Sequence, residues 1–118
     1  MGTFSVPIQV GDHEGTRWHD LEALVDTGAT FTVIPPEAWE SLGLTTSHRL
    51  PFELGDGRRV ELDLAEARVR IDGQDRVGYV VAGEPGSSAL LGAVTLETFL
   101  LAPDPVHKRL VPVTGLLL

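Results

Sequence analysis

The chain contains no cysteine. That excludes a disulfide framework, a thiolate nucleophile and a cysteine-ligated zinc, and leaves packing, within the chain or shared with a second subunit, as the source of stability. Cations are scarce as well. Nine Lys and Arg face 17 Asp and Glu, a formal charge of −8 at pH 7, and no basic run is long enough to track phosphates, so nucleic acid is not an expected partner. Long apolar runs are missing too. The longest, Leu21-Glu22-Ala23-Leu24-Val25 and Gly115-Leu116-Leu117-Leu118, fall far short of the ~20 residues that cross a bilayer. The start lacks the basic segment and apolar core of a secretory signal, and Val6 stands where a myristoylation motif has Ser or Thr. The expectation is a soluble, cytoplasmic protein with no membrane partner.

What is present points to a compact lobe. The 118 residues, 42% of them hydrophobic and 22% charged, suffice for one domain, residues 1–118, with its own core. The 13 glycines and 8 prolines predict many turns. Phe4, Val6, Ile8 and Val10 alternate with polar residues as in a half-buried strand, and Pro7 suits an edge or an early strand position. Gly11 to Gly15 reads as a hairpin turn, returning as a strand from Trp18 to Val25. Phe31 to Ile34 is a short strand, and Pro36 to Leu42 a short helix that Gly43 ends.

From residue 50 to 82 the pattern is strand and turn, punctuated at Gly55-Asp56-Gly57 and Asp72-Gly73-Gln74-Asp75. Apolar positions are even at Val60, Leu62 and Leu64 but odd at Ala65, Ala67, Val69 and Ile71. A strand changes its inward parity only at a bulge or bend, which predicts passage from one sheet to another there. Val77 to Ala82 is a strand, Gly83 to Ser88 a loop, and Leu90-Leu91 a short buried strand. Val94 to Leu101 is predicted as a short helix ended by Pro103-Asp104-Pro105, and Arg109 to Val113 as a closing strand.

One acid is out of place among these elements. Asp26, in Leu24-Val25-Asp26-Thr27-Gly28-Ala29-Thr30, lies between a buried strand and a Thr-Gly turn, where an unpaired carboxylate costs several kcal/mol unless donors, a shared proton or a partner charge stabilise it. Gly28 allows backbone donors to approach it, and the Thr27 hydroxyl can brace the loop. A carboxylate that only caps its own turn is the simpler reading of the same residues.

This segment resembles the active-site motif of the retropepsin-like aspartic proteases. In that family a hairpin precedes the motif, a strand follows it, a glycine-tipped hairpin forms a flap, and a hydrophobic-hydrophobic-Gly segment enters a short helix. Residues 3–25, 31–34, 52–64 and 90–101 occupy those places in that order, so the resemblance covers nearly the whole chain. It implies an all-β acid-protease lobe, a closed β-barrel with one or two short helices. It further implies a catalytic Asp26 with Thr27 and Gly28 beside it, and Ala29 and Thr30 at the substrate. Gly55, Asp56 and Gly57 would be the flap tip against the substrate, and Leu90 and Leu91 would also border the substrate while packing, with Gly92, behind the loop.

With one motif per chain, the resemblance implies a homodimeric endopeptidase that pairs Asp26 with its copy and acts on peptides or proteins without metal or cofactor. A non-catalytic dimerisation or peptide-binding module of the same fold is the alternative. The chain departs from retroviral members at Thr30, where they usually carry an acid, at Ala93, where they carry a charge, and in its flap, which lacks their long glycine run. Cellular single-lobe relatives are the nearer match. The apolar tail from Gly115 to Leu118 is a candidate dimer seal.

The remaining polar groups suggest no second chemistry. His13 and His19 lie among Asp12, Glu14 and Asp20 at a spacing that fits no common metal site. His48 and His107 read as surface residues, Trp18 and Trp39 as core, and Ser87-Ser88 has no paired base.

Overall fold

The computed structural model describes residues 3–117. Nine strands and two helices follow one another as β1 (Ser5–Gly11), β2 (Trp18–Val25), β3 (Thr32–Ile34), α1 (Pro36–Leu42), β4 (His48–Glu53), β5 (Arg59–Ile71), β6 (Gln74–Ala82), β7 (Leu90–Leu91), α2 (Ala93–Phe99), β8 (Leu101–Asp104) and β9 (Arg109–Pro112). Seven strands form one sheet in the order β1-β2-β7-β3-β6-β5-β4, and β1 also pairs with β5. That last pairing closes six strands into a ring, with β4 outside it. The closure is short, spanning Gln9–Gly11 against Arg68–Arg70, and β7 contributes two residues, so the ring is less regular than a strict barrel.

Alternation explains the core. Ile8 and Val10 of β1, Ala23 and Val25 of β2, and Ala67, Val69 and Ile71 of β5 point inward, and Leu96 and Phe99 of α2 cover them. Pro7 falls where β1 has β2 as its neighbour and β5 does not reach, so its missing N–H interrupts no second ladder. Gly11 is needed for space, because a Cβ there would lie 2.8 Å from the Trp18 ring across the strand pair. Trp18 itself is half-buried at this hairpin end, its indole under the Arg70 guanidinium at 3.8 Å. Trp39, by contrast, packs against the core. At the β5–β6 turn Asp72 (φ 49°) and Gly73 (φ 76°) are both left-handed, the two-residue hairpin connection that Asp-Gly favours.

Two elements differ from their sequence reading. β5 does change its buried face at Leu64-Ala65, but it stays in one sheet and exchanges partners. Arg59–Leu64 pair with β4 and Leu64–Ile71 with β6, with no residue skipped in either ladder. The even-numbered face thus belongs to a projecting hairpin and the odd-numbered face to the core. Helix α2 ends at Phe99, earlier than the apolar run suggests. Leu100 turns left-handed (φ 52°), its N–H closing on the carbonyls of Glu97 and Leu96, and Leu101–Asp104 become a strand. Pro103 is tolerated there because β8 has a single partner, β9. Among the described residues no helix is long and apolar enough to cross a membrane.

Candidate active site

The Asp26 loop is fixed from three sides by backbone hydrogen bonds. Asp26 N–H donates to the Leu91 carbonyl at 3.1 Å, and Ala29 N–H to the Asp26 carbonyl at 3.1 Å. Helix α2 then begins against the loop: Ala93 N–H donates to Ala29 O at 2.8 Å and Val94 N–H to Thr30 O at 3.0 Å. Two amides that a helix start leaves without partners are satisfied by the loop, which is itself held in place by the helix.

Beneath the loop, Thr32 and Thr95 are buried and share a hydrogen bond of 2.6 Å between their hydroxyls. Gly92 N–H donates to the same Thr32 oxygen at 3.1 Å. Gly92 has to be glycine, since a Cβ would stand 2.4 Å from the Phe31 carbonyl carbon and oxygen. Neither threonine stands out in the sequence. A β-branched residue in a three-residue strand and one in a short helix carry no sign that they meet, because 63 residues separate them.

The Asp26 side chain is half-buried. Its Oδ1 accepts from Gly28 N–H at 3.0 Å, while Oδ2 has no hydrogen-bond partner among the described residues. Gly28 serves here by closeness, because its Cβ would come within 3.2 Å of Oδ1. One oxygen is therefore held by the turn, and the other is held by no described residue.

Asp26 opens into a cleft of about 770 Å³. Gly28, Ala29, Thr30 and Leu90 line it from the loop and β7, Val33 and Val81 from β3 and β6, and Leu50, Phe52, Leu62 and Gly55 from the β4–β5 hairpin. Six residues expected at the site thus come together: Asp26, Gly28, Ala29, Thr30, Gly55 and Leu90. Thr27 is exposed at the top of the loop. Leu91, expected beside the substrate, is instead fully buried behind the loop and outside the cleft lining, because it lies on the inward face of its strand. Asp56 and Gly57 lie at the hairpin tip and are exposed, outside the cleft lining.

The walls at Leu50, Phe52, Leu62 and Val81 are absent from the expected site. The signal for Leu62 was the even-numbered apolar face of β5, and Leu50 and Phe52 join it because β4 pairs Leu50 with Leu62 and Phe52 with Val60, a pairing that depends on where the hairpin folds. Phe31, just past the loop, meets Phe52 edge-to-face with centroids 6.2 Å apart, and Tyr79 of β6 at 6.4 Å.

The hairpin tip is tied down electrostatically. Leu54 N–H bonds Arg58 O at 2.8 Å and Gly57, at φ 87°, closes the turn. Arg58 Nε donates to Asp56 at 2.8 Å and its Nη2 to Glu84 of the 83–88 loop at 2.9 Å. The Arg58 contact holds the Asp56 carboxyl below the usual carboxylate range. Glu84, then Asp56, push the guanidinium further toward the charged form. The tip thus carries a fixed anion whose charge is matched locally.

A six-stranded ring that presents one Asp-Thr-Gly loop beneath a projecting hairpin defines an acid-protease lobe of the single-motif kind. The aspartyl protease family profile matches residues 6–94, and the chain belongs to that family. Its fold is retropepsin-like. It is similar to the retroviral protease-like domain of Ddi1 from Leishmania major, with a TM-score of 0.62 and 19% identity over 95% of this chain and 89% of that one. It is also similar to the EIAV protease, solved in complex with the inhibitor HBY-793, with a TM-score of 0.53 and 19% identity over 80% of this chain and 86% of that one. No curated protein matches the chain.

Proposed function

We propose that the chain is an aspartic endopeptidase that works as a homodimer, hydrolysing peptide bonds between its two Asp26 carboxyls. The observation that carries this reading is the unpartnered Oδ2 of Asp26 in a mainly apolar cleft lined also by the β4–β5 hairpin. A residue near a two-fold axis faces its own copy, so one motif per chain becomes a pair. Two carboxyls brought close together would share a single proton, the known behaviour of aspartic-protease dyads. The ionised member takes a proton from water, the protonated member polarises the scissile carbonyl, and the pair titrates as a unit.

Each lobe contributes particular parts. Gly28 N–H orients Asp26 through Oδ1, Thr27, exposed on the loop, would bond across the subunit boundary, and the 54–58 turn would close over an extended substrate paired through its backbone. Ala29 and Thr30 would flank the substrate, with Leu90 below it and Leu91 supporting the loop. Residues 113–117 are suited to seal the dimer. Val113 N–H bonds Leu100 O at 2.9 Å, while Leu116 (79%) and Leu117 (101%) are exposed. Leu118, the end of the proposed seal, lies outside the described residues.

The test is cleavage of a diverse peptide library from about pH 4 to about pH 7, with sedimentation run alongside. Cuts between apolar residues, at a specific rate that rises with protein concentration through the dimer transition, are the expected result. No cleavage by a confirmed dimer would overturn the reading in favour of a peptide-binding module. Ala29 adds a sharper expectation. Its methyl group cannot donate a hydrogen bond to the ionised dyad, whereas a threonine hydroxyl can. Ala29→Thr should therefore move the acid limb of the pH–rate profile to lower pH, and an unmoved or raised limb would show that residue 29 does not set it.

A further inference from the structure

Phe31 and Phe52 line the cleft, Tyr79 meets Phe31 just outside that lining, and all three remain partly exposed, although aromatics are 6% of the chain. Phe4 (8%) and Phe99 (4%), in contrast, are buried in the core. The direction of this cluster follows from strand parity. Val81 lines the cleft, and Tyr79 and Val77 lie on the same face of β6, two and four residues before it in the chain. Both are exposed, at 36% and 41%. Their cross-strand partners on β5 are Glu66 and Arg68, which give the strip a charged margin of both signs. At about 3.3 Å per residue, the exposed apolar strip from Tyr79 to Val77 runs about 7 Å and ends about 13 Å from Val81 of the cleft, along the outside of β6.

We infer that the Tyr79–Val77 strip is an exosite for the peptide substrate, binding apolar side chains that lie beyond the segment held under the hairpin. This rests on the cleft being the substrate site. Continuity favours that occupant, because a chain leaving the cleft past Phe31 meets Tyr79 next. A second copy of the protein is a poorer fit. Two partly exposed side chains supply a small part of the roughly 800 Å² per partner that a stable interface buries. They do suit alternate side chains of one extended strand, which would bury Tyr79, a residue type enriched among the few contacts that dominate recognition.

The experiment uses full-length protein carrying Asp26→Asn, so that peptides bind without being cut. Two fluorescent peptides are compared by polarisation: a short apolar peptide selected for the cleft, and the same peptide extended by four residues with apolar side chains at alternate positions. The long peptide is expected to bind about ten-fold more tightly, and Val77→Ser to remove most of that advantage. Tyr79→Ser should do so as well, but it also touches Phe31, so Val77→Ser decides.

Equal affinity for both peptides, or an advantage that survives Val77→Ser, would overturn the inference. So would a change in sedimentation caused by Val77→Ser without a change in the long-to-short ratio, which would assign the strip to self-association. If the extension strengthens binding while the unsubstituted protein cuts nothing, the exosite stands and the proposed catalysis falls. If neither peptide binds, the exosite falls.

Discussion

Asp26→Asn is expected to abolish cleavage while leaving the lobe folded, a loss on the order of a thousand-fold or more in kcat. An amide can still accept from Gly28 N–H, where Oδ1 accepts now at 3.0 Å, so the turn should survive. It can neither take a proton from water nor share one with its copy. A mixing experiment separates dimeric from monomeric action. When equal amounts of wild-type and Asp26→Asn subunits exchange freely, about half of the wild-type subunits are drawn into mixed dimers, and activity should fall to about half. Independent monomers would lose nothing. A variant that melts with the wild type and still cuts would remove Asp26 from the mechanism.

Gly92→Ala is expected to be the most destabilising small change in the chain. The new methyl would stand 2.4 Å from the carbonyl carbon and oxygen of Phe31 and 2.9 Å from the Thr32 nitrogen. These are backbone atoms, with no rotamer to give way. Relieving the overlap would part β7 from β3 and break the 3.1 Å bond from Gly92 N–H to Thr32, at a cost of about 3 kcal/mol or more. The melting temperature should fall by more than about 10 °C.

Thr32→Val, nearly isosteric, should cost about 2 kcal/mol by leaving Gly92 N–H and the Thr95 hydroxyl without their partner. Gly55→Ala is the contrasting control, since nothing lies within 4 Å of its added carbon and stability should change by less than about 0.5 kcal/mol. Differential scanning calorimetry of the three variants checks the order. Gly92→Ala melting with Gly55→Ala would show that the β7–α2 junction is free to move.

Local chemistry made much of the molecule legible in its sequence. The β2 strand from Trp18 to Val25 and the helix from Pro36 to Leu42 lie where alternation, Pro36 and Gly43 place them. Both are set by neighbours a few residues apart. The Asp26 loop was legible for a related reason, because a carboxylate between an apolar strand and Thr-Gly conflicts with its surroundings and that conflict is written in consecutive residues. Leu100 and Leu101 misled because apolar residues after a helix can extend it or leave it. A single left-handed residue at Leu100 decided for the strand.

What only the tertiary structure decided are the relations between distant segments. The sequence marked a change of face at Leu64-Ala65, but β5 uses it to join a projecting hairpin to the core within one sheet. That outcome depends on which partners β4, β6 and β1 become. The cleft walls, the Thr32–Thr95 bond and the strip at Tyr79 and Val77 share this origin. Each needs a contact between residues far apart in the chain, whose worth appears only after the loops between them have closed. Alternation and turn chemistry act over a few residues and can be read in order, whereas a site assembled across a closed ring of strands has its partners fixed by the closure itself.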